Sequence, residues 1–233
     1  MSAKTLSSKP LRLAVFDLDG TIVDSKHNIV RAVNEVAQSL GLPAPHPEAV
    51  PKVIGLSLFD ALAALFPELD ATAHTDLDRR YREIFVRMRT EPDYSEPLFD
   101  GTLEVLDQLE NAGFLLGVAT GKATRGVTYV LNRHGLTKRF VTVSTPDNSP
   151  GKPHPGMVLR AMAETGVEAR NTVVIGDTTF DIQMALGAGA HAVGVSWGNH
   201  PVADLKAAGA HRLIDRLDDL LHAAEDLTQQ GAP

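Results

Sequence analysis

The feature that most restricts the fold is a recurrence of short apolar runs, at residues 11–16, 114–119, 140–144, 172–176 and 190–196, with amphipathic segments between most of them. A run that is apolar throughout and too short for a buried helix suits a strand covered on both faces. Strands of that kind, separated by helical patterns, predict an α/β fold whose parallel sheet is covered by helices. The segment GTLEVLDQLENAG, from residue 101, shows the pattern of a covering helix. Leu103, Leu106 and Leu109 recur at helical spacing, and Asn111, Ala112 and Gly113 supply a stop just before the next apolar run.

One interval breaks this rhythm. Between residues 26 and 97 the segments NIVRAVNEVAQSLG, SLFDALAALF and HTDLDRRYREIFVRMR all carry the helical period, and only AVPKVIG resembles a strand. A helical insertion placed directly after the first strand sits above that strand's C-terminal end, where open α/β sheets have their ligand crevice. The expected division is a core of residues 1–23 and 97–233 with a helical cap of residues 24–96. The Pro-bearing stretch EPDYSEPLFDG marks the return and residues 23–26 the departure. The lead MSAKTLSSKPLR has no apolar core of a signal peptide and reads as a disordered start. LDDLLHAAEDLTQQGAP reads as a last amphipathic helix with a frayed end.

Composition narrows the classes further. No segment approaches the ~18 uninterrupted apolar residues of a membrane span, so a cytoplasmic protein without a membrane partner is expected. The formal charge of -7 argues against nucleic acid as a partner, and the absence of cysteine removes disulfide and thiolate chemistry.

The chemistry gathers at the ends of the apolar runs. RLAVFDLDGTIVDS ends its run in Asp17 and Asp19, whose spacing of two puts both on one side of an extended chain. A capped turn would explain Asp-Gly equally well. TVVIGDTTFDIQMA repeats the arrangement with Asp177 and Asp181, although Asp177 could simply cap a following helix. Four carboxylates converging on one sheet edge would repel one another without a cation among them, and an all-oxygen set favours a hard ion, most simply Mg²⁺. LLGVATGK ends in Thr120, Gly121 and Lys122, where a hydroxyl and free backbone N–H groups could receive an anion or merely form a turn. Lys152, between Gly151 and Pro153 and ahead of a helix expected near Pro155 or Gly156, offers a fixed cation.

Taken in order, DLDGT at residues 17–21, VAT at 118–120, Lys152 in GKPHP and GDTTFD at 176–181 resemble the four motifs of the haloacid dehalogenase-like (HAD) hydrolase superfamily. VDS after the first motif, GLSL at 55–58 and GVSWG at 194–198 look most like its phosphoglycolate phosphatase-like branch. The resemblance implies a Rossmann-like core of strand order 5-4-1-2-3 with an inserted α-helical cap. It also implies an Mg²⁺-dependent phosphatase working through an aspartyl-phosphate. Asp17 would be the nucleophile and Asp19 the acid and base. Mg²⁺ would rest on the Asp17 carboxylate, the Asp19 backbone carbonyl, Asp177 and Asp181. Thr120, Gly121 and Lys152 would hold the phosphoryl oxygens.

The implied partner is a small phosphorylated metabolite, with 2-phosphoglycolate first among candidates, and substrate contacts are expected from Lys52, Gly55, Leu56, Ser57 and Lys122. Asp19 favours phosphoryl transfer over carbon–halogen cleavage, and it counts against phosphonoacetaldehyde hydrolysis. The alternatives are a sugar phosphomutase of the same superfamily and a non-catalytic binding protein on the HAD core. Arg87 and Arg89 read as a solvated face, Trp197 as loop packing, and the nine histidines, His154 among them, as structural or exposed.

Overall fold

The structure is a computed structural model and describes residues 10–229. Residues 1–9, which hold most of the expected disordered lead, and the expected frayed end at 230–233 lie outside the described residues. The sheet contains β1 (Arg12–Phe16), β2 (Phe114–Ala119), β3 (Phe140–Ser144), β4 (Thr172–Gly176), β5 (His191–Val195) and β6 (Arg212–Ile214). All pairs are parallel, in the order β3-β2-β1-β4-β5-β6. β6 extends the expected five-strand order by one. Only three residues long, with Arg212 exposed, it lacks the apolar run that marks the other strands.

Burial explains why the interior strands read as unbroken apolar runs. Along β1, Ala14 and Phe16 face one layer and Leu13 and Val15 the other, as strand alternation requires. The first layer is closed by α4 (Thr102–Asn111), α5 (Thr124–Arg133) and α9 (Leu220–Gln229), through Leu106, Val127 and Leu220 among others. The second is closed by α6 (Gly156–Thr165), α7 (Thr179–Gly187) and α8 (Val202–Ala207), through Val158, Ile182 and Leu205. On α4 the buried stripe is Val105, Leu106 and Leu109. Leu103, expected to join it, is 45% exposed, because a step of three turns a helix by less than a full revolution and Val105 takes that face.

Between β1 and β2 the chain forms α1 (Lys26–Ser39), α2 (Leu58–Leu65) and α3 (Ala71–Met88). These helices share a hydrophobic cluster of their own, built on Val33, Val36, Leu62 and Leu77. AVPKVIG is not a sheet strand. Pro51 starts a short 3₁₀ turn at Pro51–Val53, and Ile54 makes only a local bridge to Leu56. The departing and returning segments pair with each other: Val23 bridges Leu98, and Asp24 N–H donates to Pro97 O at 2.8 Å. The insertion therefore leaves and re-enters the core side by side, above the C-terminal end of β1.

Leu106 has no exposed surface and packs between α4 and the sheet. Replacing it with alanine should cost about 2–5 kcal/mol, read as a lower urea midpoint with the slope unchanged.

Candidate active site

Three strand ends and one helix start converge at the C-terminal edge of the sheet. Asp17 follows β1 and Asp177 follows β4, and these strands are hydrogen-bonded neighbours at the sheet centre. Asp17 N–H donates to Ile175 O at 2.9 Å, so the ladder holds the backbone of the first carboxylate beyond the strand itself. Thr120, just after β2, is fixed in the same way by its N–H to Ser144 O at 3.1 Å. Lys152 arrives on the loop before α6, which starts at Gly156 behind Pro155 as the sequence predicted.

Asp177 does not cap α7. Thr178 is the N-cap, and Asp181 completes a capping box, its Oδ2 accepting from Thr178 N at 3.0 Å and Oγ1 at 2.7 Å. Asp177 is left free to point into the site, where Oδ1 accepts from Thr21 Oγ1 at 3.0 Å. Its Oδ2 accepts from Asn199 N at 2.7 Å and Nδ2 at 2.8 Å. Gly20 makes this approach possible. Its φ is +90°, and a Cβ there would lie 2.3 Å from Asp177 Oδ2.

Among the described residues, Asp17, Asp177 and Asp181 offer carboxylate oxygens within 4.8 Å of one another, all buried. Lys152 Nζ lies 2.9 Å from Asp17 Oδ1 and 2.5 Å from Asp181 Oδ1. Its hydrogen bond is directed at Asp181, and neither oxygen of Asp17 receives a well-formed hydrogen bond. Asp17 Oδ2, buried and without a donor, needs another partner, and the all-oxygen trio fits a hard cation. The electrostatics follow from burial. Desolvation pushes the Asp17 carboxyl up to about 7 against the pull of Lys152, with Asp181 and Asp19 adding to the rise. Desolvation likewise pushes Asp177 up to about 8, helped by Asp17 and Asp181. Burial works to lower Lys152, but Asp17 and Asp181 outweigh it and leave the ammonium above its usual range.

Asp19 stands apart from the trio, so three carboxylates converge where four were expected. Three residues beyond the end of β1, the Asp19 side chain meets other partners. Oδ1 accepts from Ser25 Oγ at 2.6 Å and lies 3.0 Å from Lys122 Nζ. Lys122 in turn reaches Glu96 Oε1 at 3.5 Å, and Arg89 approaches the other Glu96 oxygen at 4.0 Å. Burial works to lower Lys122, but Asp19 and Glu96 more than reverse it. Asp19 and Lys122 thus connect the first two motifs to Glu96, on the segment that returns from the insertion.

A cavity of about 560 Å³ opens from this edge into the insertion. Asp17, Asp19, Thr120, Gly121 and Lys122 line its sheet end, and Gly55 and Leu56 line the loop facing them. That loop presses hard on the second motif: a Cβ on Gly121 would lie 2.1 Å from Leu56 O. Two expected substrate contacts are not brought in. Lys52 is exposed and outside the wall, fixed by its carbonyl to His200 Nε2 at 3.2 Å. Ser57 is also outside it, serving as the N-cap of α2 through Asp60 N at 3.2 Å.

Arg87 is the solvated residue expected, paired with Glu35 and Glu91. Arg89 is not: it turns inward, only 12% of its side chain is exposed, and its guanidinium lies 4.1 Å from the Tyr129 ring centre. Trp197 packs in a loop as expected, donating to Thr21 O at 3.1 Å beside Phe99. His74, His134 and His200 each bond a backbone carbonyl, and His154 is exposed. The sequence reading missed Ser25, Glu96 and Asn199. Ser25 lies within the VDS triplet it had noted, whereas no spacing pattern links Asn199 to Asp177.

With this geometry in place, comparison with known proteins is decisive about class. The family model for haloacid dehalogenase-like hydrolases matches residues 14–195. The chain belongs to that family. Probable phosphatase IndB of Dickeya dadantii is 36% identical over 217 residues, covering 92% of this chain and 94% of that protein. A phosphoglycolate phosphatase of Vibrio parahaemolyticus is 28% identical, covering 93% of this chain and 97% of that protein. Among solved structures, a hydrolase from Pseudomonas syringae superposes with a TM-score of 0.81 at 26% identity, over 92% of this chain and 98% of that one. Within its family the chain is a phosphatase-type enzyme, similar along most of its length to proteins of the phosphoglycolate phosphatase kind.

The raised carboxyls predict how metal-free stability depends on pH. In the unfolded chain both aspartates titrate near ~3.9, so between about pH 4 and 8 the folded protein binds more protons than the unfolded one. Stability must then fall as pH rises. With a chelator present, the melting temperature should drop between pH 5.5 and pH 8, and a flat or rising profile would contradict the burial argument.

Proposed function

We propose that the chain is an Mg²⁺-dependent phosphomonoesterase in which Asp17 attacks phosphorus and carries the phosphoryl group as an aspartyl-phosphate. The observation that carries this reading is the state of Asp17: buried, in the wall of the cavity, with Lys152 at 2.9 Å from Oδ1 and no donor on Oδ2. A carboxylate oriented through one oxygen, with the other unclaimed by a donor, is available as a nucleophile. Asp19 lines the same cavity, and Ser25 and Lys122 hold its carboxylate in place. There it protonates the leaving alkoxide and afterwards takes a proton from the attacking water. Thr120 Oγ1, the backbone N–H groups beside Gly121 and the Lys152 ammonium stabilise the transferring oxygens. Lys152 also fixes Asp17, because its hydrogen bond to Asp181 ties it to the capping box of α7.

Asp17, the Asp19 backbone carbonyl, Asp177 and Asp181 would hold Mg²⁺, which when bound neutralises charge on the phosphoryl oxygens. Residues 24–96 form the cap, and those facing the cavity contact the body of the substrate. The partner is a small phosphorylated metabolite, and 2-phosphoglycolate is the compound to which the relatives' names point.

Asp17→Asn should reduce phosphate release from a phosphomonoester panel to assay background. Asp19→Asn should lower kcat by about 10²–10⁴-fold, as expected for loss of a general acid. Unchanged release in the Asp17 variant would reject the mechanism. No release in the parent would favour a binding protein, and bisphosphate-dependent isomer formation would favour a phosphomutase. Mg²⁺ should also raise the melting temperature more at pH 8 than at pH 6, because the carboxyls must lose protons to bind it. An equal rise at both pH values would place the ion elsewhere.

A further inference from the structure

The cavity is larger than a two-carbon substrate requires. At about 560 Å³ it falls within the ~300–1,000 Å³ of pockets that enclose drug-sized ligands. Its character also changes along its length. The sheet end is polar, while the far end is walled by Val33 of α1, Leu58, Leu62 and Leu65 of α2, and Tyr81 and Phe85 of α3. The two rings lie 5.5 Å apart and tilted by 30°, so together they form a curved aromatic wall. An apolar chamber of this kind gains by receiving apolar surface and loses by receiving an unpaired charge.

Four of the five cations in the chamber wall are already paired. Of Arg79, Arg82, Arg89, Lys122 and Arg125 in its wall, Arg79 pairs with Asp76 and Glu83, and Arg82 with Asp78. Arg89 is drawn to Glu96, and Lys122 to Asp19 and Glu96. Arg125 alone has no ion pair among the described residues, and it is exposed in the first turn of α5. A second negative charge on the substrate, such as the carboxylate of 2-phosphoglycolate, would find no free buried cation to meet it.

Accepting the phosphatase reading above, we infer that the enzyme selects phosphomonoesters with a bulky, uncharged, largely apolar body, and that the chamber between α1, α2 and α3 receives that body. Phosphate enters at Asp17, and the organic group extends past Leu56 toward Leu62 and Phe85. 2-Phosphoglycolate is then a poor substrate, because it leaves the chamber unfilled and brings a charge that no unpaired buried cation of the wall balances.

The test compares ethyl phosphate, 2-phenylethyl phosphate and 2-phosphoglycolate with Mg²⁺, three esters of primary alcohols. The kcat/KM for 2-phenylethyl phosphate should exceed each of the others by about tenfold or more, in line with burial of several carbons at ~0.8 kcal/mol each. Ala61→Phe places a ring in the chamber from α2 and should reduce the ratio of 2-phenylethyl to ethyl phosphate by about tenfold. Ala61→Leu, a smaller intrusion, should move the ratio the same way by less. Equal kcat/KM values, or a preference for 2-phosphoglycolate in the parent protein, would overturn this inference and leave the phosphatase reading standing. No phosphate from any of these esters or from the wider panel would overturn both.

Discussion

Lys152 has no exposed side-chain surface, and burying an ammonium group costs several kcal/mol unless carboxylates surround it. The converse holds for Asp17, Asp177 and Asp181, which would repel one another without a cation in their midst. The site is therefore a mutual arrangement: the lysine is tolerable because of the aspartates, and they are partly tolerable because of it. That balance also dictates the local chain. α7 must be capped at Thr178 so that Asp181 can serve the capping box and the lysine together, and Gly20 must lack a side chain so that Asp177 can approach.

Asp19 belongs to a second, separate balance, and the separation has chemical meaning. Its ties run to Ser25 and Lys122, and from there to Glu96 and Arg89, residues at or beside the two ends of the insertion. One carboxylate is thus governed by the sheet and the other by the joint between sheet and insertion. The two aspartates, separated only by Leu18, differ in environment because Asp17 meets Lys152 while Asp19 meets Ser25 and Lys122.

Much of the fold could be read from the chain because strands buried on both faces leave an unmistakable apolar trace. The runs at 114–119, 140–144 and 172–176 match β2, β3 and β4 residue for residue, and those at 11–16 and 190–196 overrun β1 and β5 only at their ends. β6 left no such trace because it is short and open at one edge. At the site, Asp17, Thr120, Lys152 and Asp177 stood out through resemblance to the family's motifs, and the structure brings them to one edge because each is attached to the end of a strand or lies ahead of a helix. Arg89 was misread because its helix carries charge on nearly every turn, and only tertiary packing singles out the one guanidinium that lies over Tyr129. Asn199 was invisible because it acts across a loop on a residue far away in sequence.

The bridge between Val23 and Leu98 has a consequence for how such chains diversify. Because the two ends of the insertion meet side by side, the sheet experiences it as a short connection, whatever lies between. The entropy of closing a loop grows only with the logarithm of its length, so exchanging or enlarging the helices above costs the sheet little. The edge that carries the carboxylates can stay fixed while the material above it is rewritten.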